Sequence, residues 1–141
     1  MEREVIAVSA CLLGVSCKYD GGHNLNLEVI KKLKGKEVIP ICPEVFGEMG
    51  TPRIPSEIQS EDQIVNKQGK DVTENFKLGL RTTWDLLQKY GCKKVILKDG
   101  SPSCGYKTVY DGTFSDKKIT GMGFTAKFLQ ENGIEIIDLN T

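Results

Sequence analysis

Three short aliphatic runs, Val5 to Ser9, Val38 to Ile41 and Lys94 to Lys98, alternate with stretches of helical period, and each leads into a segment carrying a cysteine. Short runs of this kind suit strands buried on both faces, and strands separated by helices pair in parallel through crossovers. The pattern therefore predicts an α/β chain in the order strand, helix, strand, hairpin, helix, strand, loop, helix, strand. The expected architecture is one domain over residues 1–141, a Rossmann-like three-layer sandwich around a mostly parallel sheet. The length suffices for this, since a chain of 141 residues buries roughly 70% of its unfolded surface.

The helices follow from apolar spacing. Leu25 to Lys34 places Leu27, Ile30 and Leu33 on one face, with Gly35 as its stop. Val72 to Tyr90 places Val72, Phe76, Leu80, Trp84 and Leu87 inward, with Asp71 and Glu74 as a capping box and Gly91 at its end. Phe124 to Asn132 directs Phe124, Phe128 and Leu129 to the core before Gly133, and Ile134 to Leu139 forms a last strand. Gln63 to Val72 reads as a hairpin turning at Lys67-Gln68-Gly69-Lys70. Phe46 to Asp62, with Pro52 and Pro55, reads as an irregular loop, long enough to be functional or mobile.

Charge narrows the function. Lys plus Arg and Asp plus Glu number 19 each, so the net charge is zero and no basic surface marks a nucleic-acid or membrane-surface binder. Val8-Ser9-Ala10-Cys11 looks like a lipoprotein cleavage site, but Met1 to Glu4 holds two Glu against one Arg, the wrong charge for an export signal. No apolar run approaches the roughly 18 residues of a membrane span. A cytoplasmic location is expected, with a small molecule rather than nucleic acid or membrane as partner.

Five cysteines cannot all pair, and in a reducing compartment their roles are packing, catalysis or metal binding. Cys11 follows the first strand, Cys42 ends the second and Cys104 lies in the loop after Val95-Ile96-Leu97. In an open parallel sheet ligands bind beyond the carboxyl ends of the strands, so these three thiols are expected to converge there. Cys92 follows the Tyr90-Gly91 helix end and belongs at the opposite edge, as a structural residue. Cys17, in the Gly14 to Gly22 loop, either reaches the site or only lines it. Soft thiolates favour zinc, copper(I) or an iron–sulfur cluster, and the CxxC spacing of a structural zinc site is missing.

Other side chains belong to the same edge. Glu44, in Cys42-Pro43-Glu44, is a candidate general acid or base, or a solvated carboxylate. Ser101 and Ser103 orient a substrate or make an ordinary turn. Asp20-Gly21-Gly22-His23-Asn24 holds a ligand or turns into a helix, and His23, the single histidine, more often packs than binds. Arg53 pairs with an anion or with a carboxylate. Gly121-Met122-Gly123-Phe124-Thr125-Ala126 matches a dinucleotide fingerprint, but too little chain follows it for the rest of that unit.

Val8-Ser9-Ala10-Cys11-Leu12-Leu13-Gly14, Tyr19-Asp20-Gly21, Cys42-Pro43-Glu44 and Lys98-Asp99-Gly100-Ser101-Pro102-Ser103-Cys104-Gly105 together resemble the thiouracil desulfidase family, in order and over nearly the whole chain. The resemblance implies a 4Fe-4S cluster bound by Cys11, Cys42 and Cys104, with the fourth iron open to the sulfur of a thiolated nucleobase. It implies non-redox desulfuration of a 2-thiouracil-like base to the oxo base and hydrogen sulfide, assisted by Glu44 and Ser101, with Ser103 and Asp20 near the substrate. The alternatives are a sulfur-transfer enzyme using the same cluster and a non-catalytic zinc-binding or thiol-sensing module.

Overall fold

A computed structural model describes residues 3–139. Its elements are β1 (Val5–Ser9), α1 (Leu27–Lys32), β2 (Glu37–Ile41), α2 (Pro43–Phe46), β3 (Ser56–Ser60), β4 (Gln63–Asn66), α3 (Thr73–Lys89), β5 (Lys94–Ile96), β6 (Thr108–Tyr110), β7 (Lys118–Thr120), α4 (Phe124–Glu131) and β8 (Glu135–Ile136). A 3-10 turn, Ala10–Leu13, follows β1. No helix among the described residues is long and apolar enough to cross a membrane.

The sheet is parallel throughout, in the order β2-β1-β5-β8. Strand alternation sends its side chains to two cores. Ala7, Val95 and Leu97 pack with Leu87 of α3 and Ala126 and Leu129 of α4, while Ile6, Val8 and Ile96 pack with Val29 and Leu33 beside α1. Helices thus cover both faces, as expected. The last strand is shorter than expected, because after Ile136 a single backbone bond, Ile137 N–H to the Val95 carbonyl, continues the pairing.

Helix phases differ in detail. The buried stripe of α3 is Thr73, Phe76, Gly79, Thr83 and Leu87, with Leu80 and Trp84 only partly covered. Trp84 meets Phe128 edge to face, with centroids 5.3 Å apart. The expected capping box is half made: the Thr73 N–H donates to Asp71 Oδ1, but Glu74 turns outward to Lys77. In α1 the Asn26 side chain accepts from the Glu28 and Val29 N–H groups and sets a phase that buries Val29 and Leu33. Leu27 is left 66% exposed and Ile30 41% exposed, so the expected inner face is corrected to Val29 and Leu33.

The expected hairpin needs the largest correction. The antiparallel partner of β4 is β3, which lies inside the segment read as irregular, and the pair turns at Glu61-Asp62. The Lys67 to Lys70 turn does form, with Asn66 Oδ1 accepting from the Gln68 and Lys70 N–H groups. Beyond it only a Val65–Asp71 bridge follows, since Val72 already leads into α3. A second hairpin, β6–β7, was not expected at all.

Candidate active site

The strand order fixes where the site lies. The chain passes from β1 to β2 on one side, then returns to place β5 on the other side of β1. The connections diverge at the carboxyl ends of β1 and β5, the switch point at which open α/β sheets bind ligands. Ser9 stitches this seam: its buried Oγ accepts the Lys98 N–H at 2.9 Å. A cavity of about 450 Å³ opens here, and Cys11, Cys17, Cys42 and Cys104 all line it. The expected convergence of Cys11, Cys42 and Cys104 on one edge is therefore observed, and Cys17 joins them. Cys92 sits elsewhere, buried, its thiol directed to the Lys94 carbonyl at 3.2 Å.

Glu44 enters the cavity on a short helix held by close backbone packing. Cys42 caps α2 and Pro43 occupies its first turn, where a missing N–H costs nothing. Two glycines let α2 press onto α3: a Cβ on Gly79 would stand 1.9 Å from the Pro43 carbonyl oxygen, and one on Gly47 would stand 2.2 Å from that of Asn75. Arg53 then fixes the carboxylate. Its Nη2 donates to Glu44 Oε2 at 2.8 Å, with the two side chains 7% and 15% exposed. Its Nη1 donates to the Gly50 carbonyl at 2.8 Å, and its backbone N–H to that of Tyr19 at 2.7 Å. Of the two readings of Arg53, the carboxylate partner is the one observed.

Cys104 is presented by a loop tied from within. Ser101 Oγ accepts the Ser103 and Cys104 N–H groups at 3.0 and 2.9 Å and lies 3.0 Å from Ser103 Oγ. The Ser103 hydroxyl, almost wholly buried, donates to Cys104 Sγ at 3.7 Å. Asp99 Oδ1 takes three backbone N–H groups, from Tyr106, Lys107 and Thr108, each at 3.0 Å. Burial works against the charge on Asp99, but these bonds outweigh it and hold the carboxyl below its usual range. The first turn of α4 docks on the same loop: the Phe124 N–H donates to the Pro102 carbonyl, and those of Thr125 and Ala126 to that of Ser103. The N–H groups a dinucleotide would need at Gly121 to Ala126 are thus already used.

Burial dominates the electrostatics of the thiols. It pushes Cys104 and Cys17 up to about 12 and raises Cys11 as well. Against this, Asn24 Nδ2 donates to Cys11 Sγ at 3.4 Å, and the Ser9 and Ser103 hydroxyls favour the Cys104 thiolate. Among the described residues no three His, Cys, Asp or Glu side chains are spaced to hold a single metal ion. Cys42 Sγ lies 3.9 Å from the Cys17 carbonyl oxygen, so these two cysteines are neighbours on the cavity wall.

Some expected residues stay apart. Asp20 does not line the cavity; it accepts the Gly22 N–H at 2.9 Å in an exposed turn beside Lys18. His23 Nδ1 accepts the Leu25 N–H at 3.1 Å, a local turn role. Sequence reasoning missed Ser9 and the aromatic and basic rim of Tyr110, Phe114, Lys98 and Lys118. Ser9 reads as an ordinary strand residue, Lys98 follows β5, and the other three rim residues come from the unexpected β6–β7 hairpin. Asn24 was signalled only by its place after Asp20-Gly21-Gly22.

The profile of the 2-thiouracil desulfurase family matches residues 6–140. The chain belongs to that family. A curated relative, "Uncharacterized protein YbbK" of Bacillus subtilis (strain 168), is 41% identical over 145 residues, which span 96% of each chain. Among solved structures, the 4Fe-4S-dependent thiouracil desulfidase TudS superposes with a TM-score of 0.88 at 36% identity, covering 98% of this chain and 92% of that one. As a 2-thiouracil desulfurase family member, the chain places its four cavity thiols, the Arg53-held Glu44 and the Ser101–Ser103 loop at one sheet edge.

Proposed function

We propose that this chain removes sulfur from a thiolated pyrimidine such as 2-thiouracil, with water as the other reactant and the oxo base and hydrogen sulfide as products. The observation that carries this reading is the convergence of Cys11, Cys42 and Cys104 on the switch-point cavity that also holds Glu44. The donor set suits a 4Fe-4S cluster held by those three thiolates. Soft sulfur is its usual ligand, and all three cysteines line the same cavity. The 4Fe-4S dependence of the similar solved desulfidase agrees with this. When bound, such a cluster supplies an open, Lewis-acidic iron for the substrate's sulfur.

The chain's own residues do the rest. Glu44 takes a proton from the water that adds to the thiocarbonyl carbon, and returns one to the departing sulfur. Arg53 holds Glu44 Oε2, so the carboxylate keeps one orientation through the cycle. Ser101 shapes the Cys104 loop and offers its hydroxyl at the cavity, while Ser103 donates towards Cys104 Sγ. Burial of the thiols means that loading releases protons from Cys11 and Cys104.

The test is anaerobic reconstitution with iron and sulfide, followed by sulfide release from 2-thiouracil. The expected result is about four irons and four sulfides per chain, lost in Cys104→Ser, with turnover lost in Glu44→Gln at unchanged iron content. Stoichiometric zinc uptake with no iron–sulfur absorption would overturn the reading.

A further inference from the structure

The loop 111–117, which joins β6 to β7, carries Phe114 to the cavity wall in a backbone conformation that a bulky residue rarely adopts. Its φ is +55°, in the left-handed region. Such a conformation persists only where the surroundings over-determine it, and here they do. Glu57, 9% exposed in β3, accepts both the Gly112 N–H at 2.9 Å and the Phe114 N–H at 3.2 Å on Oε1. Gln59 Nε2 donates to the Gly112 carbonyl at 2.9 Å, and Asp111 Oδ1 accepts the Thr113 N–H at 2.9 Å. Gly112 itself, at φ +93°, sits so close to β3 that a Cβ would lie 2.8 Å from the Ile58 carbonyl oxygen. A buried carboxylate from another hairpin thus fixes the loop at two backbone donors.

What this arrangement delivers to the cavity is an aromatic ring. Tyr19 and Tyr110 also line the space, but Tyr19 is 47% exposed and the Lys118 ammonium lies 5.5 Å from the Tyr110 ring centroid. Trp84 is engaged with Phe128, outside the cavity lining. The half-buried Phe114 side chain makes no ring or cation contact of this kind among the described residues. We infer that Phe114 is the stacking platform for the substrate's heterocycle, and that Glu57 is the positioning residue that holds it there. This rests on the reading of the substrate as a thiolated pyrimidine, a flat ring whose face is matched by an aromatic side chain.

The experiment uses the full-length, cluster-loaded chain and two readouts: the Kd for uracil by calorimetry, and kcat and KM for sulfide release from 2-thiouracil. Base stacking on a side chain predicts that Phe114→Leu weakens uracil binding and raises KM by about ten-fold, while Phe114→Trp stays within about two-fold of wild type. In both variants kcat is retained. Glu57→Ala gives the same loss of affinity with the ring intact, and Glu57→Gln, which keeps an acceptor oxygen, restores most of it. Cluster absorption and the thermal midpoint are recorded for each variant, and Phe114→Met serves if the leucine variant does not fold. Equal affinity in Phe114→Leu and wild type would overturn the inference, since bulk alone would then suffice. Failure of wild type to bind uracil at millimolar concentration would also overturn it. Binding that depends on the ring without any sulfide release leaves stacking in place and removes desulfuration; sulfide release indifferent to the ring does the reverse.

Discussion

Gly79 of α3 lies against the Pro43 carbonyl of α2, so near that a Cβ would stand 1.9 Å from that oxygen. The residues on either side of Pro43 are Cys42 and Glu44, so this one contact sets the depth of both in the cavity. Gly79→Ala should push α2 outward, costing at least about 2 kcal/mol by overpacking against rigid backbone. Urea unfolding measures that cost, and iron content after reconstitution should fall with it. A variant as stable and as iron-rich as wild type would show that α2 tolerates displacement.

The Glu44–Arg53 pair is nearly enclosed, and removal of one partner strands the other. Arg53→Ala should destabilise the chain by about 3 kcal/mol, because the carboxylate is left without its charged donor. The double variant Arg53→Ala, Glu44→Ala should recover part of that loss. A double-mutant cycle with no coupling would show that the pair contributes nothing to stability.

Ser9 joins two strands and faces a thiol. Ser9→Ala leaves the Lys98 N–H without its acceptor at the β1–β5 seam, a cost of about 1 to 2 kcal/mol. It also removes a donor to Cys104, so the loaded variant should lose iron faster to a chelator than wild type does. Ser9→Thr, which retains the hydroxyl, should reverse both effects. Chelation kinetics unchanged in the alanine variant would confine Ser9 to the seam.

Asp99 gives an acid-sensitive contribution. Its folded pKa lies below the unfolded value of about 3.9, so its stabilisation is present above that pH and is lost as pH falls through the folded pKa. Asp99→Asn should cost about 1 to 2 kcal/mol at neutral pH, allowing for partial solvent exposure. The variant should also lose less stability than wild type on acidification below about pH 4. Parallel acid profiles for the two chains would rule out this linkage.

The parts legible in the sequence were those with a repeated physical signature. Val5 to Ser9, Val38 to Ile41 and Lys94 to Lys98 betray their burial by unbroken aliphatic side chains, and parallel pairing then brings Cys11, Cys42 and Cys104 to one edge. β3 reads Ser-Glu-Ile-Gln-Ser, without the alternation of a half-buried strand, because its stability comes from β4 and from Glu57 holding the loop of another hairpin. Phe114 sits in a run of turn residues, Asp111-Gly112-Thr113-Phe114-Ser115-Asp116, which announces a loop but not where its one ring will point. Arg53 and Glu44 are recognisable as charged residues, but their pairing depends on the path of the chain between them. Three-dimensional approach, rather than residue type, was the missing information in each case.

The central position of β1 has a consequence for the order of events during synthesis. β1 pairs with β2, which leaves the ribosome early, and with β5, which leaves it late. The nascent chain therefore presents Cys11, Cys17 and Cys42 well before β5 brings Cys104 to complete the set. A metal captured at that stage would meet an incomplete and exposed group of thiols. Under the proposed reading, loading of this sheet edge belongs after translation, once the seam between β1 and β5 has closed.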